Sequence, residues 1–154
     1  MPFEIRVTRT FCASHQVKLP GGGLEPIHGH NWNVTLTVAA DALDASGFVV
    51  DFHELERRLD AVVGPMNNRH LNDLPPFGRS NTSAECVALA IAENIHLPPG
   101  VKMAAVEVTE APGCVAVYRL GCGCWELVVG SWWKHRDTCI SPPPNHQFPT
   151  PLHR

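Results

Sequence analysis

Three histidines at two places in the chain have the spacing to converge on one metal ion. His15 closes a run in which every second residue is Phe3, Ile5, Val7, Arg9, Phe11, Ala13 and His15. His28-Gly29-His30 opens another, in which every second residue is His28, His30, Trp32, Val34, Leu36, Val38 and Ala40. Strand residues two apart share a face and lie about 7 Å apart, so His28 and His30 can reach a common ion. Zinc takes imidazole nitrogens at about 2.0–2.1 Å, and three histidines with an open fourth position form a catalytic pattern. Neutral ligands leave the ion's charge undiminished, and a bound hydroxyl then loses its proton far more easily than in water. Glu25, three residues before His28, is a candidate general base for that hydroxyl, or else a solvated loop residue.

Two strands must position these imidazoles. Period-two alternation reads as half-buried strands over about 3–16 and 28–40. Paired as an antiparallel hairpin, the end of the first strand meets the start of the second. All three rings then share one apolar face. Arg9 breaks the apolar series, which suggests a bulge, a bend or a local partner. Gly29 between the two histidines lets the backbone lie close to something bulky. Gly47 to Val50 reads as a short strand. Asp51-x-x-Glu54 is a capping box for a helix carrying Phe52, Leu55, Leu59 and Val62 and stopped at Gly64-Pro65. A second helix starts at Thr82 or Ser83 and carries Val87, Ala90, Ile91 and Ile95. Val101 to Glu110 and Cys114 to Leu120 are two more strands about an Ala111-Pro112-Gly113 turn. The expected fold is α+β, a four-stranded antiparallel sheet with both helices on one face. Its open edges favour assembly into a closed oligomeric barrel.

Glu110 follows Val106 and Val108 on the apolar side of its strand, where a carboxylate needs a partner. The amino-pyrimidine edge of a flat heterocycle offers two parallel N–H groups; a salt bridge is the alternative. Thr82 and Glu85 can bind the same ring, although Thr82-x-x-Glu85 is equally a capping box.

The chain has 154 residues and a net charge of −3, which suits one core and gives no electrostatic case for nucleic acid. Glu4 and Arg6 interrupt the first residues, and no apolar run spans a bilayer, so a cytoplasmic protein is expected. The six cysteines then read as free thiols. The expected division is a domain over 1–120 and a poorly ordered extension over 121–154. Cys122-Gly-Cys124 with His135 and Cys139 is either a second metal site or part of that extension.

Phe11-Cys-Ala-Ser-His15, His28-Gly-His-Asn-Trp32, Val50-Asp-Phe-His-Glu-Leu55, Leu71-Asn72, Thr82-Ser-Ala-Glu85 and Glu110 occur in this order. Over residues 3–119 they resemble the 6-pyruvoyltetrahydropterin synthase and 6-carboxytetrahydropterin synthase family. The resemblance implies a tunnelling fold (T-fold) and a hexamer built as a dimer of trimers, with sites at subunit interfaces. It implies Zn2+ on His15, His28 and His30, and a pterin ring anchored by Glu110 with help from Thr82, Ser83 and Glu85. The substrate it implies is 7,8-dihydroneopterin triphosphate. Two departures stand out. The loop before the histidine pair has no cysteine where most members carry a catalytic one, and Glu25 matches a branch with glutamate instead. That branch resembles enzymes giving 6-hydroxymethyl-7,8-dihydropterin, a folate precursor. The family's Asp-His relay aligns with Asn67-Asn68, which leaves Glu25, a water or His70 to move protons. The expected activity is that of a zinc-dependent carbon–carbon lyase of the 6-carboxytetrahydropterin type, on a queuosine route. The alternatives are the folate-type product and a pterin-binding protein with little catalysis.

Overall fold

The structure, a computed structural model, describes residues 3–78 and 80–120. The expectations for the extension, including the Cys122, Cys124, His135 and Cys139 grouping, lie outside the described residues. In chain order the elements are β1 (Phe3–His15), β2 (His28–Ala40), α1 (Phe52–Val63), β3 (Arg69–His70), α2 (Ala84–Asn94), β4 (Lys102–Ala111) and β5 (Cys114–Tyr118). Three 3-10 turns lie between α1 and α2.

The sheet has five strands, not four, in the order β3-β1-β2-β4-β5. The added strand, β3, is two residues long and pairs parallel to the end of β1. So short a piece carries no periodicity of its own. The β1–β2 hairpin is regular over its whole length, with Phe3 opposite Ala40 and His15 opposite His28. Of the bulge, bend or local partner expected at Arg9, the structure has the local partner. Arg9 is held by α1, its guanidinium donating to Glu56 at 3.1 Å and to Asp60 at 2.6 Å. Register irregularities fall between β2 and β4, beside Thr37 and Val38, and between β4 and β5, beside Thr109 and Ala111.

Both helices cover one face of the sheet. Val7, Phe11, Trp32, Val34, Leu36, Val106 and Val108 pack there with Leu55, Leu59 and Val63 of α1 and Val87, Ala88 and Ile91 of α2. Each fully buried aliphatic side chain contributes about 1.5–3 kcal/mol. Phe11 and Trp32, opposite one another, stack with ring centroids 6.1 Å apart. Asp51 caps α1 by accepting from the His53 N–H at 2.7 Å. Glu54 does not close the expected box but turns outward to Arg57 and Arg58. Phe52 is exposed, and Val63 is buried in its place.

Residues 47–50 form no strand. The Asp44 carboxylate accepts from the N–H groups of Ser46 and Phe48 and folds this segment into a turn. The β4–β5 turn is as expected, with Gly113 at φ +83° supplying the left-handed residue. No helix of the described residues is long and apolar enough to cross a membrane.

Candidate metal centre

His15, His28 and His30 stand together at one end of the core face, as the hairpin register requires. Glu110 joins them from β4, one residue past the Asn33–Thr109 pair and on the same face as Val106 and Val108. The four ligand atoms all lie within 4.8 Å of one another. The three imidazole planes are steeply inclined to each other, at 61°, 71° and 89°. Trp32 closes the floor, edge-on to His15 and His30, with its indole N–H donating to the Ala13 carbonyl at 3.1 Å.

The hydrogen bonds decide which nitrogens face inward. His15 Nδ1 donates to the Thr82 carbonyl at 2.7 Å, and His28 Nδ1 donates to the Pro26 carbonyl at 2.8 Å. Carbonyls only accept, so both rings carry their proton on Nδ1 and a lone pair on Nε2. Those two Nε2 atoms are 3.0 Å apart. Glu110 Oε1 is 3.0 Å from His15 Nε2 and 3.5 Å from His30 Nε2. His30 Nε2 is buried with no hydrogen-bond partner. Burial pushes the His15 imidazole below its ordinary range, which keeps it neutral. The Nε2 lone pairs of His15 and His28 and a carboxylate oxygen therefore face one another at close range. A cation resolves that arrangement, and ligands of a tetrahedral zinc would sit about 3.3 Å apart. The residues fit a metal ion.

Several further residues hold this geometry, of which Asn81 has no obvious sequence signal. The Asn72 side-chain amide pairs with both backbone groups of Gln16, at 2.9 Å each. Asn81 does the same to Lys18, at 2.8 and 3.0 Å. The two amides act as a substitute strand and pin the chain as it leaves His15. Thr82 is fully buried, its hydroxyl donating to the Gln16 carbonyl at 3.2 Å. It serves the site through His15, whose Nδ1 donates to its carbonyl. Ser83 caps α2 through the Cys86 N–H, and its hydroxyl holds the Glu85 carboxyl below its usual range. Ser83, and not Thr82, is thus the N-cap of α2.

Glu25 reaches the cluster from behind. Its Oε2 lies 3.6 Å from His28 Nδ1, on the side of the ring away from Nε2. Its loop is held by Gln16 Nε2 donating to the Glu25 carbonyl at 2.8 Å. Gly22, at φ +85°, turns this loop. His70 is not brought to the imidazoles of its own chain. It pairs with Ser14 on the opposite face of the sheet, with Nδ1 and Oγ 3.1 Å apart, because the β1–β3 register aligns the two residues. Asn67 and Asn68 are committed to the backbone. Asn67 Oδ1 accepts from the Cys12 N–H at 2.9 Å, and the Asn68 N–H donates to the Cys12 carbonyl at 2.6 Å. Asn68 adopts φ +57°, a region asparagine tolerates. Gly29 is not required by its own chain, since an added Cβ would meet the Ala13 carbonyl at an ordinary 3.6 Å.

The 6-pyruvoyl tetrahydropterin synthase family model matches residues 4–121. The chain is 32% identical over 127 residues to the 6-carboxy-5,6,7,8-tetrahydropterin synthase of Bacillus subtilis, across 76% of this chain and 85% of that one. It is 32% identical over 112 residues to the dihydroneopterin monophosphate aldolase of Pyrococcus furiosus, across 71% and 91%. Its fold resembles that of a Plasmodium vivax 6-pyruvoyltetrahydropterin synthase in which a catalytic glutamate is replaced by alanine. There the TM-score is 0.62 at 22% identity, over 75% of this chain and 96% of that one.

Proposed function

Because this chain belongs to the 6-pyruvoyl tetrahydropterin synthase family, we propose that it is a zinc-dependent lyase acting on the side chain of 7,8-dihydroneopterin triphosphate. The observation that carries this reading is the convergence of three imidazoles and Glu110, with His15 and His28 oriented through Nδ1 by carbonyls. His15, His28 and His30 would hold the metal. Zinc bound there supplies Lewis acidity, which makes a side-chain hydroxyl easier to deprotonate. Glu110 has two roles within reach: it lies at ligand distance from His15, and its carboxylate can accept the paired N–H groups of a pterin edge. Glu25 is the proposed base. Among the described residues, it and Glu110 are the carboxylates in contact with the imidazoles.

The product we favour by family likeness is 6-carboxytetrahydropterin. A specific observation supports a second reading, cleavage to 6-hydroxymethyl-7,8-dihydropterin. The loop over the site offers Glu25 and no thiol, and Cys12, the thiol nearest in sequence, sits on the other sheet face. The Plasmodium vivax relative has a catalytic glutamate, and the Pyrococcus furiosus relative is an aldolase.

Zinc-loaded protein incubated with dihydroneopterin triphosphate should yield one of these products by mass spectrometry. Glu25→Ala should lose about 10²–10⁴-fold in turnover while metal analysis shows zinc retained. If wild type and Glu25→Ala bind pterin equally and neither turns over, the chain is a binding protein.

A further inference from the structure

The β1–β2 ladder stops at His15 opposite His28, and the chain between them closes a second, smaller hairpin. In it the Glu25 N–H donates to the Val17 carbonyl at 3.0 Å and the Leu19 N–H to the Gly23 carbonyl at 2.8 Å. Pro26 follows Glu25 and has no N–H with which to extend that pairing. The Glu25 carbonyl is met by a side chain, the Gln16 amide, which donates from Nε2 at 2.8 Å. A carbonyl only accepts, so the NH2 end of the amide must face it. Gln16 is itself anchored by its backbone. Its N–H donates to Asn72 Oδ1 and its carbonyl accepts from Asn72 Nδ2, both at 2.9 Å. The Thr82 hydroxyl donates to the same carbonyl at 3.2 Å. Both backbone groups of Glu25 are thus tied to the residues that leave His15. Packing does little of this work, since Leu24 is 59% exposed and Ile27 62%.

We infer that Gln16 is a positioning residue, whose amide fixes where the Glu25 carboxylate stands relative to His28 and the metal. It acts through Glu25 and not on the imidazoles, because its hydrogen bonds go to Asn72, Thr82 and Glu25. Misplacing a reacting group by about 1 Å can slow a reaction by about 10²-fold, so one amide suffices to matter. The consequence for turnover rests on the base role proposed above for Glu25; the anchoring of the segment does not.

Gln16→Met keeps the reach of the side chain and removes the donor. With zinc-loaded protein and dihydroneopterin triphosphate, it should lower kcat about ten-fold or more, with KM and zinc content near wild type. In the Glu25→Ala background the same change should lower kcat no further, because residues that act as one unit are not additive. Hydrogen–deuterium exchange read by mass spectrometry needs no turnover. Peptides over 17–27 should exchange faster in Gln16→Met, and peptides over 3–15 as in wild type. Gln16→Glu has nearly the same shape but no N–H to give at neutral pH, and should exchange as Gln16→Met does. Unchanged exchange over 17–27 in Gln16→Met overturns the inference. So does an equal further loss of kcat in the Glu25→Ala background, which places the action of Gln16 elsewhere. Zinc lost in Gln16→Met also overturns it, since the residue would then serve His15. Wild type without turnover, alongside faster exchange in Gln16→Met, upholds the anchor and removes the base role of Glu25.

Discussion

A lone pair has direction, and at the metal centre the chain spends two backbone carbonyls on setting it. Thr82 and Pro26 fix the tautomers of His15 and His28 from outside, a role the side chain of Thr82 does not reveal. His30 presents a buried Nε2 with no hydrogen-bond partner. Removing a ring should therefore cost the metal and little of the fold. His30→Ala should lose zinc by metal analysis, with a thermal midpoint in metal-free buffer close to wild type. Retained zinc would place the ion elsewhere. Glu110 stands at the edge of this set, so its contribution separates by measurement. Glu110→Gln should raise KM for the pterin while the three histidines keep the metal.

Strand ends and turns do the positioning at the next scale. The segment after His15 is not a regular strand, yet Asn72 and Asn81 give it strand-like partners. Asn72→Ala removes two such bonds and should destabilise by about 1–3 kcal/mol in urea unfolding, with weaker zinc binding. An unchanged unfolding midpoint would show that the amide does not hold the loop. Arg9 joins β1 to α1 by charge. Hydrogen bonding to Arg9 holds the Glu56 carboxyl below its ordinary 4.5. A depressed carboxyl stabilises the fold above the unfolded-state value, and that stability is lost as the pH falls through the folded value. Arg9→Leu should therefore lower the thermal midpoint at pH 7, and its gap from wild type should close as the pH drops below 4.5. A gap constant with pH would trace the loss to packing alone.

For the whole molecule, the sheet ends in open strand edges among the described residues. One edge is only partly covered, because β3 protects β1 solely at Ala13 and Ser14. The outer strand β5 exposes Val115 and Val117. Unpaired edges with apolar neighbours favour association. The hexamer that the sequence resemblance implies would give six times the 16.9 kDa chain mass in sedimentation equilibrium. A monomer at micromolar concentration would count against a site shared between subunits. The position of His70 bears on this, since it faces away from the imidazoles of its own chain.

Alternation is a local property, and it was enough to place β1, β2, their register and three histidines on one face. Residues two apart share a side of a strand whatever the rest of the chain does. The helix stripes and the β4–β5 turn were legible for the same reason. What lies far apart in sequence was decided by packing. Arg9 found its partners on α1, Glu110 reached the histidines, and Thr82 became a support for His15. His70 took the opposite face because β3 exists only by pairing with β1. Two residues have no period to read, and a backbone carbonyl has the same identity in every amino acid. Only the folded chain says which strand accepts the one and which ring faces the other.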